Sequence, residues 1–368
     1  MRNYIKAGFM ACAMLAGASC SATVSEIDTG INRPEREFWL GADISGTTLE
    51  ESKGVVYKDK YGKPTEITRQ MKDYGLNAVR LRVWVNPEGG WSSKEDVLEM
   101  AKRAKALGME IMIDFHYSDW WADPGKQNIP AQWKDYDVNR MMKALAGHTE
   151  ETLSFLKTNG IDVKWVQVGN ETRDGFLWPM GQLSKGNMAN YAALTRAGYD
   201  AVKRVYPKAE VIVHLDNGFD NDVYNYVFDG LAGYGAKWDI IGMSVYPFWA
   251  IQGGQEPDED ATLRDAIANI KKLNKKYGCK VMIVETGVES EKPEAGLNFM
   301  NKLFDAAIDD TDGACSGVFY WAPEAQVTVD KDGNKSGYAL GAFANDRPTV
   351  IMDSYPRAAE KLKKGSAK

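Results

Sequence analysis

Cysteine is scarce in this chain of 368 residues, which holds four. Cys12 and Cys20 fall in the N-terminal leader, and Cys279 and Cys315 show neither the spacing of a zinc site nor a His/Asp setting for a thiol nucleophile. They read as two buried thiols at the base of neighbouring strands, with a bridge as the alternative. Basic charge is also in deficit: 45 Lys and Arg against 51 Asp and Glu leave a formal charge of -6. That balance argues against nucleic acid or an anionic surface as partner and suits a neutral polysaccharide. Internal repeats, low-complexity tracts and second-domain linkers are missing too, and residues 251–262 read as a loop. With 44% hydrophobic and 26% charged residues, the remainder is an ordinary globular chain with ample core.

No apolar run is long enough to span a bilayer. The stretch from Ala7 to Ala18 falls short of the ~20 residues a span needs. Preceded by Arg2 and Lys6 and followed by small residues, it reads as an export signal over 1–20. Gly17-Ala-Ser-Cys20 is either a lipobox whose Cys20 is acylated, giving a cell-surface or periplasmic lipoprotein, or part of a soluble signal cleaved near Ala22 for secretion. Residues 21–36 then form a polar linker, and 37–368 a catalytic domain.

What the chain does have is a recurring pattern. Short apolar runs, each followed by a polar loop and a helix-period segment, occur at Phe38–Ser45, Ala78–Trp84, Glu110–His116, Val163–Gly169, Glu210–Asp216, Ile240–Tyr246, Lys280–Glu285 and Gly317–Trp321. Helices open at Ser92-Ser93 and near Val138, and stop at Gly108 and Gly160. Alternating strands and helices predict parallel strands with right-handed crossovers. Eight such units predict an α/β fold, a single (β/α)8 TIM barrel with extended βα loops, whose active site lies at the strands' C-terminal ends. Two of those ends carry glutamates, Glu171 after the fourth strand and Glu285 on the seventh. Strands three apart in a ring of eight face each other, so the carboxylates converge as glycoside hydrolysis requires.

The segments Gly41-Ala-Asp-Ile-Ser45, Val79-Arg-Leu-Arg-Val-Trp84, Asp114-Phe-His-Tyr-Ser-Asp-Trp-Trp-Ala-Asp-Pro124, Gln167-Val-Gly-Asn-Glu171, Ser244-Val-Tyr-Pro247 and Val284-Glu-Thr-Gly287 resemble the endo-β-1,4-galactanases of glycoside hydrolase family 53. The resemblance implies a retaining enzyme with Glu171 as acid/base and Glu285 as nucleophile. It implies internal cleavage of galactan or arabinogalactan, such as pectic side chains, without a cofactor. In the wider clan the residue matching Asn170 contacts the 2-hydroxyl of the reacting sugar. The chain is expected to act as a monomer, with membrane contact only through a lipid on Cys20.

Neighbouring strand ends supply the supporting groups. Arg82 is expected to favour an ionised carboxylate, and Tyr246 to hydrogen-bond Glu285. His116 is expected to bond substrate or another site residue, and His214 and Asp216 likewise; His148 is expected at the surface of a helix. Trp84, Trp91, Trp120, Trp121, Trp249 and Trp321 are candidate sugar platforms among eleven tryptophans, with Trp321 as the floor under the reacting sugar. Asp43, Asp119 and Asp123 are expected to contact hydroxyls or anchor loops. Asp330, Asp332 and Asn334 have the spacing of the start of a calcium loop, but Gly341 stands where a closing glutamate belongs. A hairpin turn explains them equally, and the resemblance adds a structural calcium as an option. Competing readings are a mannanase or cellulase on the same barrel, and a glycan-binding protein without turnover.

Overall fold

The computed structural model describes residues 37–250, 258–329 and 334–366. Eight parallel strands close into one barrel in chain order. They are β1 (Trp39–Asp43), β2 (Ala78–Val83), β3 (Glu110–Phe115), β4 (Trp165–Val168), β5 (Glu210–Leu215), β6 (Ile240–Val245), β7 (Lys280–Thr286) and β8 (Cys315–Trp321). Each expected strand is present, and the ring shuts where β1 pairs with β8, Trp39 opposite Gly317 and Asp43 opposite Trp321.

The helices pack on the outside by their apolar stripes. In Lys94–Ala106, Val97, Leu98, Met100, Ala101 and Ala104 are buried at helical spacing. Ser93 caps that helix by accepting a hydrogen bond from the Asp96 N–H. Helix Val138–Thr158 is capped by Asp137 and ends ahead of Gly160, which takes the left-handed conformation. Against these helices lie the outward residues of the strands, for example Val79, Leu81 and Val83.

Inward residues make two layers. At the base Ala78, Met112, Trp165, Ile212, Ile240, Met282, Val284 and Phe319 form a separate apolar plug. Gly41 makes room for it, since a Cβ there would lie 2.2 Å from the Phe319 ring. Toward the strands' C-termini the inward positions turn polar, with Asp43, Arg80, Arg82, Asp114, Gln167, His214, Ser244 and Glu285 all buried. Groups of this kind cannot stay unpaired in a barrel, so they must satisfy one another or a ligand.

No disulfide joins Cys279 to Cys315, because the register sets Cys315 opposite Val281. Beyond β8 an antiparallel pair forms from β9 (Val327–Val329) and β10 (Lys335–Gly337). Of the calcium candidates, Asp330 and Asp332 lie outside the described residues, while exposed Asn334 immediately precedes β10. Among the described residues no cluster of His, Cys, Asp or Glu could hold a metal ion. The leader and linker, including Cys20, also lie outside the described residues. In the last helix, Ser354–Ser366, buried Tyr355 donates its hydroxyl proton to the carbonyl of Gly41 (2.9 Å).

Candidate active site

Glu171 owes its position to a tight turn. After β4 ends at Val168, Gly169 takes φ +87°, where a Cβ would meet Thr172 Cγ2 at 2.7 Å. Glu171 itself sits at φ 48°, a conformation non-glycine residues seldom adopt. The turn delivers its carboxylate to Ser244 on β6, whose hydroxyl donates to Oε1 at 2.6 Å. Having spent its proton there, Ser244 Oγ must accept from His214 Nε2, 2.8 Å away. His214 Nδ1 in turn accepts the backbone N–H of Glu171 at 3.3 Å. His214 Nδ1 also lies 3.0 Å from Asn170 Oδ1, and burial lowers the His214 pKa well below the ordinary range, so the ring is neutral.

Glu285 needs a bulge to face the same way. Met243 lies opposite Ile283, but Ser244 lies opposite Glu285, so Val284 is an extra residue on β7. Val284 can then join the plug while the next side chain enters the polar layer. Tyr246 donates to Glu285 Oε2 at 3.2 Å. Arg80 Nη2 lies 2.9 Å from Oε1, a charge contact that makes no hydrogen bond to it.

Here the expected role of Arg82 is corrected: the guanidinium at the carboxylates belongs to Arg80, one pleat deeper. Its long side chain climbs the barrel interior, donating to Asp43 Oδ2 (2.8 Å) and Asn170 Oδ1 (2.8 Å) and lying 2.9 Å from Asp114 Oδ2. Arg82 instead stacks over Trp121 and Trp84, with its guanidinium carbon 3.9 and 4.6 Å from the ring centres. Asp114 links the cluster to His116. The His116 Nδ1 accepts from Trp84 Nε1 (3.3 Å) and the Ala122 N–H (3.1 Å), so Nε2 carries the proton given to Asp114 Oδ2 (3.0 Å). With both ring nitrogens occupied, His116 orients the cluster and has no capacity left for substrate.

The electrostatics separate the two glutamates. Burial pushes Glu171 well above the ordinary carboxylate range, Glu285 and Asp216 push the same way, and the Ser244 hydroxyl and Arg80 offset only part. Burial also raises Glu285, to about 7; Arg80 opposes it, Asp114 and Asp43 add to it, and the Tyr246 hydroxyl pulls it back. Glu285 has a guanidinium in contact to favour its ionised form, and Glu171 has only a hydroxyl. Both line a cavity of about 520 Å³ at the barrel mouth, with Trp121, Tyr246, Trp249 and Trp321 among its walls.

Residues 39–296 match the profile of "Glycosyl hydrolase family 53". The chain belongs to this family. A probable arabinogalactan endo-β-1,4-galactanase A of Neosartorya fischeri is 35% identical over 308 residues, 77% of this chain and 83% of that protein. The arabinogalactan endo-β-1,4-galactanase A of Aspergillus niger is 32% identical over 341 residues, covering 86% and 91%. Among solved structures, a fungal β-1,4-galactanase superimposes with a TM-score of 0.76 at 29% identity, over 87% of this chain and 99% of that one. The family 53 catalytic domain of Ignisphaera aggregans gives 0.76 at 27%, covering 87% and 96%. An exo-β-1,4-mannosidase matches at 15% identity, which speaks to the barrel alone.

Within this family 53 site, other sequence expectations divide. Trp121 and Trp321 stand at the cleft with ring centres 5.6 Å apart, and half-exposed Trp249 closes its far wall. Trp84 is buried beneath them and serves as support for Arg82 and His116. Asn170 reaches the cavity but is held by Arg80, by Gln167 Nε2 (3.1 Å) and by the Ala122 carbonyl (2.9 Å). Asp43 pairs with Arg80, and its other oxygen accepts from Ser45 Oγ at 2.6 Å. Of the two roles expected for Asp119, loop anchoring is the one found: its oxygens accept the backbone N–H groups of Asn86 and Ala131, so it ties two loops together and is not placed as a substrate contact. His148 is a second correction, since its ring packs edge-on to Phe115, Tyr117 and Trp133 in a half-buried seam. Ser244, Gln167 and Arg80 carry roles that strand-end position does not assign. The usable signal for them is burial by pleat: polar residues at inward positions of closed strands must be partners of something.

The Ser244 hydroxyl favours the ionised form of Glu171. Ser244→Ala therefore raises the Glu171 pKa further, and the alkaline limb of the pH profile of kcat/KM moves upward. A limb that stays put or moves down contradicts this relay.

Proposed function

We propose that the protein is an endo-acting retaining hydrolase of β-1,4-galactosidic bonds in galactan and arabinogalactan, with Glu171 as acid/base and Glu285 as nucleophile. One observation carries the reading: buried Glu285 and half-buried Glu171 line one cleft in unlike settings. Glu171 is bonded only to a neutral Ser–His pair, whereas Glu285 is held against a buried guanidinium. The first setting keeps a proton available for the leaving oxygen, and the second keeps an oxygen free to attack.

In the first step Glu285 Oε1, without a hydrogen bond of its own, attacks the anomeric carbon as Glu171 gives its proton to the departing glycosidic oxygen. The result is a galactosyl ester on Glu285 and a shortened chain. Arg80 and Tyr246 orient the attacking carboxylate. In the second step Glu171, now ionised, takes a proton from water, whose oxygen attacks the same carbon and frees Glu285 with the original anomeric configuration. The cycle consumes one glycosidic bond and one water and regenerates both carboxyls, so it calls on no cofactor. The relatives' names supply the polymer, and the indole-walled cleft supports it.

The arrangement also bears on address and assembly. Every group in the proposed cycle comes from one barrel, which supports action as a monomer. Export through the leader over 1–20, followed by a linker over 21–36, rests on the basic start and short apolar run, with Cys20 acylation and cleavage near Ala22 as its two outcomes. Among the described residues no helix is long and apolar enough to cross a membrane.

Product sizing from linear β-1,4-galactan checks the central claim. Internal cleavage gives a rapid fall in polymer length with a ladder of oligosaccharides and β-configured new ends by proton NMR. Release of mono- or disaccharide alone, or equal activity on mannan or cellulose, removes it.

A further inference from the structure

Outside the catalytic pair, one buried acid has no employment in the chemistry above. Glu324 follows β8 in a turn closed by the Ala325 N–H donating to the Ala322 carbonyl. It is 3% exposed. Oε1 accepts a hydrogen bond from Thr47 Oγ1 at 3.3 Å, and Oε2 is buried with no partner. An orphaned carboxyl oxygen of this kind is costly unless a ligand completes it.

Its surroundings say which ligand. Glu324 lines a groove of about 470 Å³ that abuts the reaction cleft along Trp121, Trp321 and Tyr338. Arg82, on the same wall, also has an unpartnered buried Nε. Two polar groups lacking partners beneath a set of indoles match a sugar ring, whose C–H face packs on aromatics while its hydroxyls fill the vacant bonds. The groove lies beside β8, β1 and β2, across the ring from β4 and Glu171. Since Glu171 serves the leaving group, this groove takes the sugars on the non-reducing side of the scissile bond.

We propose that Glu324, as a neutral carboxylic acid, donates a hydrogen bond to a hydroxyl of a glycosyl unit in this groove, and so makes turnover depend on chain length. The assignment rests on the galactanase reading above. Burial, with a smaller contribution from Asp43 on β1, raises the Glu324 pKa to about 8. Arg82 from β2, the Thr47 hydroxyl and the turn's own backbone N–H oppose that shift. Tyr57, buried after the first helix, is itself raised by burial and by Glu324 and stays protonated. The acid therefore carries its proton through neutral pH and loses it as pH rises past about 8, after which it has nothing to donate.

The test compares wild type, E324Q and E324A on linear β-1,4-galactooligosaccharides of three and six units, at pH 6 and pH 9. At pH 6, E324A should lose about tenfold in kcat/KM on the hexasaccharide and less than about twofold on the trisaccharide, while E324Q stays within about threefold on both. Wild type should lose its preference for the longer substrate at pH 9, and E324Q should keep it. Equal losses at both lengths, no loss at either, or a wild-type preference unchanged at pH 9 overturns the assignment. If E324A does not fold, the comparison of wild type with E324Q across pH decides alone. A wild type that leaves galactan uncut removes the galactanase reading itself, which is a different result from uncoupled length dependence.

Discussion

Glu285→Gln lowers kcat on linear β-1,4-galactan by about 10⁴-fold or more, because no amide can form and release the galactosyl ester. The shape of the site changes little, so KM moves by a small factor. Stereochemistry separates this loss from a general failure of the cleft. In Glu285→Ala the missing carboxylate leaves space on the face opposite the leaving group, and azide added to an aryl β-galactobioside should attack there and give the α-azide. In Glu171→Ala the ester still forms when the leaving group needs no proton, so azide intercepts it from the other face and gives the β-azide. Product anomers by NMR assign both roles at once. The opposite pairing of variants and anomers reverses the assignment, and full activity in either variant discards it.

Arg80→Met is the second large effect, and it falls on stability. Removing the guanidinium leaves Asp43, Asp114 and Glu285 buried without their cation. Loss of one partner from a buried ion cluster costs about 3–5 kcal/mol, read as a lowered urea midpoint at pH 8. The sign with pH follows from linkage. Without Arg80, burial is left to raise the folded-state pKa values of Asp114 and Glu285, so the folded state binds more protons than the unfolded one and stability rises as pH falls. The deficit at pH 5 should therefore be smaller than at pH 8. Arg82→Met, which removes a cation lying on indoles, should cost clearly less. A loss under about 1 kcal/mol for Arg80→Met, or one equal at both pH values, contradicts the cluster.

Most of the barrel and the centre of its site are legible in the order of the amino acids. The eight strand runs stand out because closed parallel strands are apolar on the outward face and bounded by loop residues, and each glutamate stands where its run ends. Tyr246 is legible as the partner of Glu285 because neighbouring strand ends must touch. Legibility fails where a side chain outreaches its own layer. Arg82 stands nearest the end of β2, but Arg80 spans the distance from one pleat below, and strand position alone does not reveal reach. The inward facing of Glu285 beside Ser244 is hidden for a related reason: it depends on an extra residue in β7, and a bulge leaves no period of its own in the sequence. Asp119 shows the limit of composition. A loop aspartate beside tryptophans looks like a sugar ligand, and only the backbone of two other loops shows that its oxygens are taken.

The bond from Tyr355 to the carbonyl of Gly41 ties the last helix to the first strand. Since β1 finds its second neighbour only in β8, a growing chain keeps a raw sheet edge until nearly all of it has been made. Half-finished molecules gain little from the contacts they already have, and a nick or deletion near the C-terminus reopens the oldest seam instead of trimming the newest. Completion is thus the step that turns an aggregation-prone ribbon into a durable catalyst.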